Sequence, residues 1–290
     1  MARAAAAGLS ALVLGVFLAA CSGPDLEGLE KGEAGTVAQV VDGDTLVLES
    51  GLRVTLVEVE APFGEAPFAS EARAGLERAT LHRRVRLAYG GLKRYAPRAP
   101  ASGEAKAKDK GDARSPPTET ALAHVFVRSE GGRWIWVQEG LVAQGLVRVR
   151  TRQENRARAA ALLAAEARAR AARRGLWALR EYRVRNAIAL AGEAADLPRS
   201  CGRGPLLVVE GRIRQASVSD ARAYLNFGGP DEYGSDTTIG VYGDAVAAWR
   251  AKGPPFASYQ NKQVRVRGRV ANRGGPLICV DHPEQIEVLN

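Results

Sequence analysis

The chain has 290 residues, 46% of them apolar, with 41 Lys+Arg against 32 Asp+Glu and a formal net charge of +9. That length suits two domains of ordinary size, each able to bury a core, and the basic excess attracts polyanions such as nucleic acid, anionic lipid head groups or lipopolysaccharide. No apolar run beyond residue 20 is long enough to cross a membrane, and no Cys/His spacing forms a zinc site.

The first twenty residues carry one charge, Arg3, ahead of an uncharged run of small and apolar residues that closes on Leu18-Ala19-Ala20-Cys21. This is the layout of an export signal and is short for a membrane span. The expectation is a signal peptide over residues 1–20; an ordinary secretory signal or a membrane anchor is the alternative. The last four residues resemble a bacterial lipobox. The resemblance implies that Cys21 is lipidated and holds the protein to a membrane of the bacterial cell envelope, with the outer membrane and its periplasmic side favoured by Ser22. An acidic, Gly-containing stretch to Gly35 reads as a tether over residues 21–35.

Order is expected from Thr36. The runs Val37–Val41, Thr45–Leu48 and Leu52–Val59 alternate in the manner of strands and are separated by Asp42-Gly43-Asp44 and Ser50-Gly51, a β-meander. Helical spacing over Pro67–Leu81 and a strand at Val85–Tyr89 follow. Residues 90–120 are rich in Gly, Pro, Ala and Lys without periodicity and read as a disordered insertion. Strands return at Ala121–Val127 and Arg133–Gln138. A short helix over Val137–Gly145 and a long Ala/Arg helix over Asn155–Arg174 close the first domain, residues 36–180. His82, His124 and His282 have no base–nucleophile arrangement around them and read as structural or surface residues.

Residues 181–203 read as a linker, and residues 204–290 as six short strands with one helix at Asp244–Lys252, which suits a small barrel of OB type. Cys201 and Cys279 are free to pair in an oxidising compartment; two unpaired thiols are the alternative. Arg265, Arg267 and Arg269 alternate on one strand face, and Tyr224, Phe227, Tyr233 and Tyr242 are available to stack, so this face is expected to bind polyanions. The fold class is mainly β with helices (α+β): an OB-type barrel with three helices, then a second small OB-like barrel.

The order of elements in residues 36–180, with Val41-Asp42-Gly43-Asp44-Thr45, the strand ending Val59-Glu60-Ala61-Pro62 and the closing helix up to Trp177, resembles the thermonuclease (staphylococcal nuclease) family. The C-terminal segment looks like the OB-like module that follows this domain in some bacterial relatives. The resemblance implies a calcium-dependent phosphodiesterase site on the barrel, with two carboxylates on the metal, a Glu near the attacking water and two arginines for the transition state. Asp44 matches the first carboxylate and Glu60 stands where the second, an Asp, is usual. The family's first Arg is Thr55, its Glu is Phe63 and its second Arg is Thr120. Phenylalanine cannot orient a water, and threonine lacks the charged fork that grips phosphate. Arg53, Glu65 and the insertion's Lys93, Arg94, Arg98 and Arg114 are nearby replacements.

The expectation is therefore a nuclease-like protein without intact catalytic groups that binds nucleic acid or another anionic polymer. An active calcium-dependent nuclease and an envelope scaffold are the alternatives.

Overall fold

The computed structural model describes residues 28–97, 119–229 and 236–289. The expected signal peptide, Cys21, most of the 90–120 insertion with Arg98 and Arg114, and Tyr233 lie outside the described residues.

The first half runs β1 (Glu30–Val40), β2 (Thr45–Leu48), β3 (Arg53–Leu56), β4 (Val59–Glu60), α1 (Ala69–Thr80), β5 (Arg84–Tyr89), β6 (Tyr95–Pro97), β7 (Glu119–Arg128), β8 (Trp134–Trp136), α2 (Val137–Ala143), β9 (Arg148–Val149) and α3 (Ala159–Ala171). Five of these strands close a barrel in the order β1-β2-β3-β7-β5 and back to β1; β3 and β7 are parallel and the other pairs antiparallel. Alternation puts Leu46, Val54, Leu56, Leu87, Ala123 and Val125 inside, where Leu76 of α1 and Leu141 of α2 close the core. Thr45, Arg53, Thr55 and Thr120 take the opposite face.

The second half runs β10 (Arg185–Asn186), α4 (Ala187–Ala191), β11 (Leu206–Arg212), β12 (Gln215–Val218), β13 (Arg222–Asn226), β14 (Thr238–Tyr242), α5 (Asp244–Lys252), β15 (Gln263–Asn272), β16 (Pro276–Cys279) and β17 (Ile286–Leu289). β11 and β12 act as the halves of one bent strand, because β11 pairs with β15 and β12 with β13. The circuit continues β13-β14-β16-β15, with β14 and β16 parallel. Both halves thus have one plan: the third and fifth barrel strands are parallel, and a helix lies between the third and fourth. This is the OB plan.

Three expectations change. Residues 30–35 are strand rather than tether, because they pair with β5 and Glu33 accepts hydrogen bonds from Tyr89 Oη (2.6 Å) and Tyr95 Oη (2.5 Å). Those bonds hold the Glu33 carboxyl below its usual range against burial, which acts to raise it. Tyr95–Pro97, expected in the disordered insertion, form β6 against β7. The linker 181–203 is part of the second core: β10 pairs with β11, and Ala187 and Leu190 are buried beneath it.

The two halves share an apolar seam. Ala169, Leu176, Trp177 and Tyr182 pack with Val208 of β11, and Phe68 lies against them. Tyr182 Oη donates to Pro67 O at 2.5 Å.

Candidate nuclease site and the ion-pair seam

The Asp42-Gly43-Asp44 turn packs closely on its surroundings. A Cβ on Gly43 would lie 2.6 Å from Ala61 Cβ and 2.7 Å from Ala72 Cβ, so glycine is what allows the turn to lie against α1 and the end of β4. The half-buried Asp44 carboxylate accepts from Ala61 N (2.8 Å) and from Thr45 Oγ1 (3.1 Å). Desolvation, with Asp42 alongside, pushes its pKa up to about 7. Thr55 lies opposite Thr45 in the β2–β3 ladder, with the two hydroxyls 3.4 Å apart. Thr120 lies opposite Arg53 in the β3–β7 ladder. The structure therefore gathers Asp44, Thr45, Thr55, Arg53 and Thr120 on adjoining strands of one barrel wall. Phe63 is 69% exposed in the loop after β4, and Glu65 is exposed nearby.

Glu60 does not face an open site. Its Oε2 meets Arg269 Nη2 at 2.6 Å and Arg150 Nε at 3.2 Å, and its Oε1 has Arg148 Nη2 at 3.9 Å. A cation would have to displace these guanidinium groups to use this carboxylate. Among the described residues no group of three or more His, Cys, Asp and Glu side chains is placed to hold a metal. The pair Asp44 and Glu60 therefore does not fit the two-carboxylate calcium site that the resemblance implies. Of the replacement cations, Arg94 is paired with Glu30 and lies over the Tyr89 ring. Arg53 lies two residues before Thr55 on β3 and opposite Thr120 on β7, beside both positions where the resemblance sets an arginine.

The Arg265, Arg267 and Arg269 face is corrected as well: it is not an open groove. Arg267 is 2% exposed and bonds Glu166 Oε2 at 2.5 Å and Glu287 Oε1 at 2.7 Å. Arg265 pairs with Glu210 (2.7 Å) and Glu287 (3.4 Å), and Arg269 with Glu60 and the carbonyl of Gly204. Burial acts to lower the Arg267 pKa, but Glu166 and Glu287 outweigh it and the group stays charged. The residue missed in the sequence is Glu166. It is fully buried on α3, accepts from Val149 N at 2.7 Å, and holds both Arg170 and Arg267. Its signal was a carboxylate set within the apolar stripe Leu162, Ala165, Ala169.

Residues 53–179 match the family model described as staphylococcal nuclease homologue. These residues are a staphylococcal nuclease homologue domain. The match begins at β3, and the barrel of this nuclease-like domain is completed by β1 and β2, which bring Asp44 with them. No curated protein matches the chain. The match supports a nuclease-like, nucleic-acid-related function for this domain.

Of the histidines, His124 is buried with Nε2 3.3 Å from Glu58, and His282 is buried with Nδ1 2.9 Å from Glu284. Neither contacts Asp44 or Thr55. Cys201 and Cys279 are disulfide-bonded, with Cα atoms 6.1 Å apart.

Proposed function

We propose that the chain is an exported protein, lipid-anchored through Cys21 in a bacterial envelope, whose nuclease-like domain is catalytically impaired and which binds nucleic acid or another polyanion. What supports this reading is the barrel wall around Asp44: the resemblance sets Thr55 and Thr120 at the family's two arginine positions and Phe63 at its glutamate, and Glu60 is taken up by three arginines. Phosphodiester hydrolysis needs charge stabilisation of the developing phosphorane and an oriented water. The loss of a single transition-state arginine costs roughly a thousandfold or more in phosphoryl transfer. The export and anchoring part rests on Leu18-Ala19-Ala20-Cys21, and the polyanion part on the basic excess.

A second reading, an active phosphodiesterase, is favoured by Arg53, which shares the Thr55 face and pairs in register with Thr120. Incubating the full chain with plasmid and single-stranded nucleic acid, with calcium or with EDTA, separates the two. Salt-sensitive binding without cleavage supports the first reading, and EDTA-sensitive turnover supports the second.

A further inference from the structure

The wall of the second barrel built from β13, β14 and β16 carries a cleft of about 550 Å³ on its outer face. The strand register makes this face. Ala223, Leu225, Ile239, Val241 and Ile278 point into the core, and the alternate residues line the cleft. Across the β13–β14 ladder Arg222 faces Tyr242, Tyr224 faces Gly240, and Asn226 faces Thr238. Arg273, in the turn between β15 and β16, forms the rim, and the Cys201–Cys279 disulfide holds the segment at Ser200 as the opposite wall.

Four groups in this cleft have complementary chemistry. The Tyr242 ring lies over Gly240, where a Cβ would be 2.6 Å from the phenol oxygen, and meets Tyr224 edge to face at 5.8 Å. The 38% exposed Tyr242 is an aromatic shelf seated on backbone. Arg222 and Arg273 are both exposed and act electrostatically on Tyr242. Neither has an ion-pair partner among the described residues, in contrast with Arg265, Arg267 and Arg269. Asn226 is 6% exposed, and its Oδ1 is buried without a hydrogen-bond partner among the described residues. An unpaired buried acceptor is costly, and a ligand N–H would satisfy it. Asp236 is the carboxylate in the lining, and its Oδ2 accepts from Gly228 N.

We infer that this cleft binds one or two nucleotides of a single-stranded nucleic acid. A base stacks on Tyr242, Arg222 and Arg273 hold the flanking phosphates, and Asn226 Oδ1 accepts from a base N–H. The inference rests on the polyanion reading above and places its binding surface on the second barrel, on a face other than that of Arg265, Arg267 and Arg269. A lipid head group or inorganic phosphate would use the arginines but leave the aromatic shelf and the buried amide acceptor unmatched. A duplex keeps its bases stacked and paired, away from both.

The test is fluorescence anisotropy with a labelled mixed-sequence single strand titrated with the full chain at low salt, with the matching duplex and heparin as competitors. Tyr242→Ala and Arg273→Ala are each expected to weaken binding about tenfold. Tyr242→Phe, which keeps the ring, and Arg78→Ala, at an exposed arginine of α1 on the other barrel, are expected to stay within about twofold of wild type. Thermal melts of each variant confirm folding. If the strand binds but the two cleft substitutions leave its affinity unchanged, or if heparin binds and the strand does not, this inference is overturned and the polyanion reading stands. If neither binds at low salt, both are overturned.

Discussion

Glu60 and Arg269, 209 residues apart in the chain, form a 2.6 Å ion pair that ties β4 of the nuclease-like barrel to β15 of the second barrel. The position that the resemblance assigns to a metal carboxylate thus serves here as a joint between the two barrels. Glu60→Ala would leave Arg148, Arg150 and Arg269 clustered without their shared counter-charge. The expected cost is about 3 kcal/mol of unfolding free energy, within the range for breaking a buried pair. Urea denaturation checks it, and a loss below about 0.5 kcal/mol, the scale of an ordinary surface substitution, would show that the joint is not structural.

Glu166 makes a second joint, because its buried carboxylate holds Arg267 across the seam and Val149 N within its own domain. Glu166→Gln is expected to destabilise by about 3 kcal/mol. The double variant Glu166→Gln/Arg267→Met is expected to lose less than the sum of the single losses, since each single change leaves a buried partner uncompensated. Strict additivity in a double-mutant cycle would sink the coupling.

The pH dependence of stability should carry the mark of Asp44, whose pKa rises to about 7 through desolvation and Asp42. An acid with a raised folded-state pKa keeps its proton longer in the native state than in the unfolded one. Its contribution therefore falls as pH rises from about 4 to about 7 and stays lost above that. Asp44→Asn imitates the neutral acid, so it should be more stable than wild type at pH 8, by on the order of 2–4 kcal/mol, and nearly equal to it near pH 4. Added calcium should leave the pH 8 melting temperature of wild type unchanged, because Glu60 is engaged by arginines. A clear calcium-induced rise that Asp44→Asn removes would restore the metal site.

The Cys201–Cys279 bond closes a sequence separation of 78 residues and braces one wall of the cleft. Cys279→Ser is expected to cost about 2–4 kcal/mol of stability. Reduction with dithiothreitol should lower the melting temperature of wild type and leave that of the serine variant unmoved.

The barrels were legible because alternation such as Leu46/Leu48 and Leu225/Phe227 has a period of two, which few other arrangements share. The Asp42-Gly43-Asp44 turn was legible because close packing on Ala61 and Ala72 requires its glycine. The partners of Arg265, Arg267 and Arg269 were not. Alternating arginines look alike on an open groove and at a domain seam, and what decides between them is the position of Glu60 and Glu166, more than a hundred residues away in the chain. The strand at Glu30–Gly35 was hidden for the same reason. An acidic, Gly-containing stretch gains its order from Tyr89 and Tyr95, which local pattern cannot supply. Gln215–Val218 was missed because its residues are mostly exposed and it extends β11 beyond a bend.

The reading proposed above is that the nuclease-like barrel keeps its fold without its chemistry. The most direct measurement is the turnover of plasmid and single-stranded nucleic acid by the purified full chain in calcium, with EDTA and Asp44→Ala as controls. The account predicts substrate left intact under conditions where binding is saturated. Cleavage in calcium that both EDTA and Asp44→Ala abolish would contradict it, and loss of that cleavage in Arg53→Ala would identify the arginine that had taken over.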